Sequence, residues 1–278
     1  MIAKRALLAS GWYRRQLDRD SFPGVLVLCY HGVRSDRWRA GEPSFPELHI
    51  DAATFDAHCR VLANVCQPIS LDDWRDARFG RRPLPPRPVL VTFDDGYRSV
   101  FEIARPILKR HGIPAVVFVC TDPICDRQLF WFDAQSHRGA IDTSADDPLA
   151  PMTIDDVKQL ADEGFEIGAH TASHVRLGAA SAAAQREELS GCRQKLQEWI
   201  GRDVTALAYP FGKPSTDYTP DTVRIARDLG FEFAFTTRED FARPDEPPLE
   251  RSRFLVLSEV SAAELAHRMA YSWSRSRQ

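Results

Sequence analysis

The 278-residue sequence has no CxxC pair among its six cysteines, no apolar run long enough to cross a bilayer, no low-complexity tract and no internal repeat. Without CxxC pairs there is no zinc ribbon. Cys29 and Cys120 stand inside apolar, strand-like runs, where a cysteine most often serves as a small buried hydrophobe. The six thiols read as reduced, in a cytosolic protein, with a disulfide between two of them as the alternative. Net charge is −3 with histidine neutral, so no overall basic field points to nucleic acid. A secretory signal is also not expected, because Arg14 and Arg15 interrupt the segment soon after Ala6–Ala9. Residues 1–24 read as an arm, in which Ile2, Leu7, Leu8, Trp12, Tyr13 and Leu17 mix with four cations. That pattern fits an interfacial helix touching the inner face of a membrane, or an ordinary helix packed on the rest of the chain.

What is present is alternation. Strand-like runs recur at Val25–Tyr30, Val89–Phe93, Ala115–Val119, Phe165–Ala169, Ala206–Tyr209, Phe233–Thr237 and Phe254–Leu257. Helix-like segments lie between them: Thr54–Asn64, Arg98–His111, Ile154–Glu163 behind a capping Thr153, Ser181–Ile200, Asp221–Leu229 and Ser261–Tyr271. Repeated βα units predict a parallel sheet, and seven of them a closed or nearly closed barrel in one domain, residues 25–278. Longer irregular insertions are expected at about Val33–Asp51, Gln67–Pro88 and Thr121–Met152. In such a barrel the chemistry sits where strands end.

Two short segments fall at such ends. Thr92-Phe93-Asp94-Asp95-Gly96 sets two carboxylates after the second run, and His170-Thr171-Ala172-Ser173-His174 sets two imidazoles four residues apart after the fourth. One carboxylate with two imidazoles makes a divalent-metal site with open positions, and the second carboxylate is free to act as a base on water. Tyr30-His31-Gly32 and Pro210-Phe211-Gly212 end the first and fifth runs. Either motif alone is weak, since Asp-Gly also marks turns, but together they predict metal-assisted hydrolysis.

With TFDDG at Thr92–Gly96, H-[ST]-x-x-H at His170–His174 and YPFG at Tyr209–Gly212, in that order, the chain resembles the polysaccharide deacetylase family, carbohydrate esterase family 4, in its exopolysaccharide-associated form. The resemblance implies a distorted (β/α)7 barrel. It also implies Asp95, His170 and His174 as ligands of a divalent ion, usually zinc, with cobalt, nickel or manganese as alternatives. Asp94 matches the catalytic base and the Phe211 N–H the oxyanion donor. The implied activity is N-deacetylation of an amino sugar in a glycan or a lipid-linked sugar. Two family features are absent. Alanine, Ala208, stands where many members carry an arginine, which makes Arg253 the candidate partner of Asp94. Leu255-Val256-Leu257 replaces a Leu-x-His, which leaves His31, or Asp94 itself, to return a proton to the leaving amine. Among aromatic and polar residues of the loops, Trp131, Asp133, Tyr209 and Pro210 are candidate substrate contacts, with Trp38 a weaker one. A deformylase or other amidase on the same scaffold is the runner-up. A non-haem iron oxygenase shares the ligand set, but the α/β alternation and the spare Asp94 count against it. A non-catalytic glycan-binding relative is a third class, disfavoured because every metal and base residue is retained.

Overall fold

The computed structural model describes residues 2–18, 21–35, 44–134 and 149–272. Trp38 lies outside them. Seven parallel strands form the central sheet: β1 Leu26–Tyr30, β2 Pro88–Phe93, β3 Ala115–Val119, β4 Glu166–Ala169, β5 Ala206–Ala208, β6 Phe233–Phe235 and β7 Phe254–Leu255. Their order is β7-β1-β2-β3-β4-β5-β6, with Gln67–Pro68 pairing alongside β2. The register runs Leu26 against Val89, Val91 against Ala115, Val117 against Ile167 and Leu207 against Ala234. The sheet curls until its outer edges approach. There the Thr236 N–H donates to Arg251 O at 2.9 Å and the Arg251 N–H to Ala234 O at 2.8 Å. The structure therefore has the seven βα units, in one domain, that the sequence predicts.

Both faces of the sheet are covered, which is why the strands read as unbroken apolar runs. Side chains alternate, so each strand feeds two cores. Val25, Val27, Leu90, Val116, Phe118, Ala206, Ala208, Phe233 and Phe235 fill the barrel interior, and Trp74 packs against Phe233 at 5.4 Å. Leu26, Leu28, Tyr30, Val91, Phe93, Val117 and Val119 lie under the helices. Gly168 is required on the inner face, because a Cβ there would come within 2.4 Å of the Phe118 ring.

Several helix starts follow from side-chain caps. Thr153 and Asp156 form a reciprocal capping box at the head of Ile154–Asp162, and Ser181 caps Ala182–Ile200. The stretch Gln67–Pro88, expected to be irregular, contains the helix Leu71–Arg78, started by a capping box between Ser70 and Asp73. Only Leu71 and Trp74 of that helix are buried, so its charged positions hide the apolar stripe. The amino-terminal arm forms two short helices, Ile2–Ala9 and Trp12–Leu17. Tyr13 and Leu17 are buried, Trp12 stacks on Tyr271 at 5.5 Å, and Lys4 pairs with Glu264 at 2.5 Å. Among the described residues no helix is long and apolar enough to cross a membrane.

His58 ties three parts of the outer layer together. It lies on the helix Ala52–Val65, its Nε2–H donates to Val260 O at 2.8 Å, and its Nδ1 accepts from the Tyr30 hydroxyl at 3.1 Å. Burial pushes its pKa down to about 4, only partly opposed by the carbonyls at Val260 and Ser261. The unfolded chain then binds a proton near pH 6.5 that the folded chain refuses until about pH 4. Stability contributed by neutral His58 is therefore full above pH 6.5 and lost as the pH falls toward 4. Between pH 7 and pH 5 the loss amounts to about 2 kcal/mol. Urea unfolding of wild type and His58→Gln at the two pH values checks this: the variant should lose about 2 kcal/mol less on acidification, and equal losses would assign the acid sensitivity elsewhere.

Candidate metal centre

The site grows out of the barrel interior. Continuing the inward-facing set by steps of two leads from Val27 to Cys29 and His31, from Leu90 to Thr92 and Asp94, from Gly168 to His170, from Phe235 to Thr237, and from Arg253 to Leu255. His31, Asp94, His170, Thr237 and Leu255 all line one cavity of ≈ 560 Å³ at the carboxyl ends of the strands.

Asp94 is almost wholly buried and is gripped by Arg253, which is completely so. Nη1 and Nη2 of Arg253 donate to Oδ1 and Oδ2 of Asp94, both at 2.7 Å, in a two-pronged pair. Arg253 Nε donates to Thr236 O at 2.9 Å and Nη1 also reaches Thr92 Oγ1 at 3.2 Å. The Cys29 thiol adds a weak bond to Asp94 Oδ2 at 3.4 Å, and burial pushes that thiol well up, so it stays a donor. Burial pushes the Asp94 carboxyl up, but Arg253 and then His170 outweigh it and hold it at about 2. Asp94 is thus an oriented carboxylate, ionised throughout the neutral range.

Asp95 turns away to the two imidazoles. Its Oδ1 lies 3.4 Å from His170 Nε2 and 3.3 Å from His174 Nε2, and it has no hydrogen-bond partner among the described residues. The donor-capable atoms of the three residues lie within 4.8 Å of one another. The His170 Nδ1–H donates to Ala208 O at 2.8 Å, which leaves Nε2 as a lone pair aimed at the cluster. A buried carboxylate oxygen without a proton donor, facing one imidazole so oriented and a second beside it, fits a divalent cation with nitrogen and oxygen ligands. Asp95, His170 and His174 are the residues that would hold it.

Backbone strain is concentrated here. Among the described residues six other than glycine have positive φ, and four belong to the site: Asp95 at 73°, Thr171 at 64°, His174 at 60° and Phe211 at 62°. Such conformations cost about 1–3 kcal/mol each and persist only where the surroundings enforce them. At Phe211 the enforcement is visible: its carbonyl accepts from Thr237 Oγ1 at 2.7 Å, and a Cβ on Gly212 would meet Thr237 N at 2.7 Å. The Phe211 N–H has no partner among the described residues. Its ring leans on His174 at 4.9 Å and lies under Arg176 at 4.4 Å.

The remaining sequence candidates divide cleanly. His31 lines the cavity, and its buried Nδ1 has no hydrogen-bond partner among the described residues. Trp131 stands half exposed at the mouth with Phe45 and Phe211. Asp133, expected to reach a sugar, is instead sealed, accepting from Tyr97 Oη at 2.6 Å and from the Ser44 N–H at 3.1 Å. Tyr209 is likewise internal, stacked on Tyr218 at 4.2 Å with its hydroxyl bonded to Leu249 O at 3.0 Å. Neither it nor Pro210 lines the cavity. Ser44, Phe45, Leu48, Phe132, Thr237 and Leu255 line it without having been singled out from the sequence. For Thr237 and Leu255 the two-residue inward period was the available signal.

A family model described as polysaccharide deacetylase matches residues 81–234, more than half of the chain. The chain is 23% identical to the YxkH protein of Bacillus subtilis over 221 residues, covering 79% of this chain and 67% of that protein. It is 24% identical to the poly-beta-1,6-N-acetyl-D-glucosamine N-deacetylase of Escherichia coli, covering 88% of this chain but only 38% of that longer protein. Among solved structures, IcaB from Ammonifex degensii matches with a TM-score of 0.70 and 26% identity over 91% of this chain and 97% of that one.

The Asp94–Arg253 pair makes a stability prediction. Arg253→Met leaves a buried carboxylate uncompensated and should cost about 3–5 kcal/mol. Adding Asp94→Asn removes the orphaned charge and should recover much of that loss. Urea unfolding of the single and double variants measures both, and a double variant no more stable than the single would refute the pairing as the source of the cost.

Proposed function

The chain belongs to the polysaccharide deacetylase family, and we propose that it is a metal-dependent hydrolase removing acetyl groups from N-acetylated amino sugars of a glycan. The observation that carries this reading is the pairing of an Asp95–His170–His174 cluster with a separately oriented Asp94 at the floor of one cavity. The relatives named for N-acetylglucosamine polymers support the glycan, and the exposed aromatics Phe45, Trp131 and Phe211 at the mouth offer faces on which sugar rings stack.

A divalent ion held by Asp95, His170 and His174, with zinc the first choice for this ligand set, supplies Lewis acidity toward the amide carbonyl and acidifies water. The side chains divide the proton work. Asp94, kept ionised and aimed by Arg253, takes the proton of the attacking water on a carboxylate oxygen. Burial lowers the His31 pKa, so the proton handed to the sugar nitrogen as the C–N bond breaks is the one Asp94 has taken from water. It passes directly or through the neighbouring His31 ring, and the products are acetate and a free amine. The unspent N–H of Phe211 stabilises the developing oxyanion, a contribution worth about 3–4 kcal/mol in other hydrolases.

The test is acetate release from N-acetylglucosamine oligomers by metal-stripped and zinc-restored protein. Activity should appear only with metal, and Asp94→Asn should lower kcat by about 10²–10⁴-fold while still binding one zinc. Asp95→Ala should lose both zinc and activity. Cobalt, nickel and manganese restorations rank the alternative ions. One bound zinc with no acetate released would redirect the reading to formylated or other amides. No bound zinc at all would sink it.

A further inference from the structure

The two histidines of the cluster sit on a loop whose backbone is held from outside, and one side chain does most of the holding. Glu188 lies on the helix Ala182–Ile200, three residues after the buried Gln185 and four before the buried Cys192. Its Oε2 accepts the N–H groups of both Ala172 and Ser173 at 3.0 Å, and its Oε1 accepts the Ser173 hydroxyl at 2.7 Å. Those residues lie between His170 and His174. The other side of the same peptide is fixed as well, because the Asp122 N–H donates to Ala172 O at 2.9 Å and Lys195, on the Glu188 helix, holds Asp122 at 2.9 Å. The helix itself is registered on the sheet by the Cys192 thiol, 3.4 Å from Val119 O.

We propose that Glu188 is a positioning residue for the metal centre, holding the His170–His174 loop in its left-handed turns so that both imidazoles meet Asp95. This inference rests on the metal reading above. Thr171 and His174 both have positive φ, and a β-branched threonine adopts such a turn only under constraint. Two N–H groups converging on one carboxylate oxygen supply that constraint next to the strained residues. Released from it, the loop relaxes and the His174 ring leaves the cluster. Glu188 touches neither the cluster nor the cavity, so it acts only through the loop.

Zinc affinity of the stripped protein, measured by competition with a chromophoric chelator, tests this without reference to turnover. Glu188→Ala should weaken zinc binding by about 10–100-fold, the range seen for residues that orient metal ligands. The rise in melting temperature on adding zinc should shrink accordingly, whereas a merely structural role would lower the metal-free and zinc-loaded forms alike. Glu188→Gln, whose amide oxygen can still accept both N–H groups, should stay within about three-fold of wild type. Should Glu188→Ala fail to fold, Ser173→Ala removes one of the three bonds and should weaken zinc binding by a few-fold. Wild type that binds zinc, with Glu188→Ala or a folded Ser173→Ala binding it equally well, overturns the positioning role alone. Wild type that binds none overturns the metal reading beneath it.

Discussion

A buried ion pair inside a closing barrel is the constraint around which the site is built. Taking Arg253 and Asp94 out of water costs several kcal/mol per charge, and only good geometry with satisfied hydrogen bonds offsets it. The barrel supplies both. Two parallel 2.7 Å bonds join the pair, and the remaining guanidinium reach goes to Thr236 O and Thr92 Oγ1. Phe118 and Phe235 flank the guanidinium at 5.7 and 5.9 Å, and Phe118 finds its room over Gly168. Two apolar residues of like volume would serve folding equally well. The pair makes sense as the support of a carboxylate that must stay charged and fixed at the floor of a cavity.

Rigidity around that floor is spread over several elements. Asp95 follows β2, His170 and His174 follow β4, and Phe211 follows β5, so three separate strand ends must keep register for four groups to converge. The left-handed residues at these ends store strain that the sheet, the Thr237 side chain and the Glu188 carboxylate restrain. Sites on strand ends can carry such strain because the parallel sheet behind them is unbroken and buried on both faces.

Much of this was legible in the sequence because it rests on local patterns. The seven apolar runs, the DDG and HxxxH segments and their common placement after strands needed no long-range information. Arg253 is legible only through the family resemblance, because Ala208 stands where many members carry an arginine. What escaped depends on which way a side chain turns or on contacts far apart in sequence. Nothing local distinguishes Tyr209 and Asp133, which are sealed, from Trp131, which is exposed. Phe45 and Leu48 join the cavity from an insertion whose course no periodicity describes. The Leu71–Arg78 helix was hidden by its charges although its Ser70–Asp73 cap was readable. Glu188 had a weak signal: of the adjacent Glu187 and Glu188, only the second stands at helical spacing from Gln185 and Cys192.

The division of labour between Asp94 and Asp95 follows from one backbone angle. In an extended strand neighbouring side chains face opposite sides of the sheet, so two adjacent carboxylates cannot both enter the barrel. Asp94 still obeys the strand, its N–H bonded to Tyr30 O at 2.9 Å and its side chain directed inward to Arg253. At Asp95 φ becomes 73°, the chain turns, and Gly96 completes the turn at 98°. The Gly96 N–H closes it on Asp94 O at 3.0 Å, while the Asp95 carbonyl accepts from the Cys120 N–H at 3.0 Å. The second carboxylate is thereby swung back over the strand end, toward His170 and His174 and away from Arg253. Two identical side chains, one residue apart, so receive different partners: a fixed cation for one, and a pair of imidazoles for the other. Under the proposed function, that separation gives one carboxylate the proton and the other the metal.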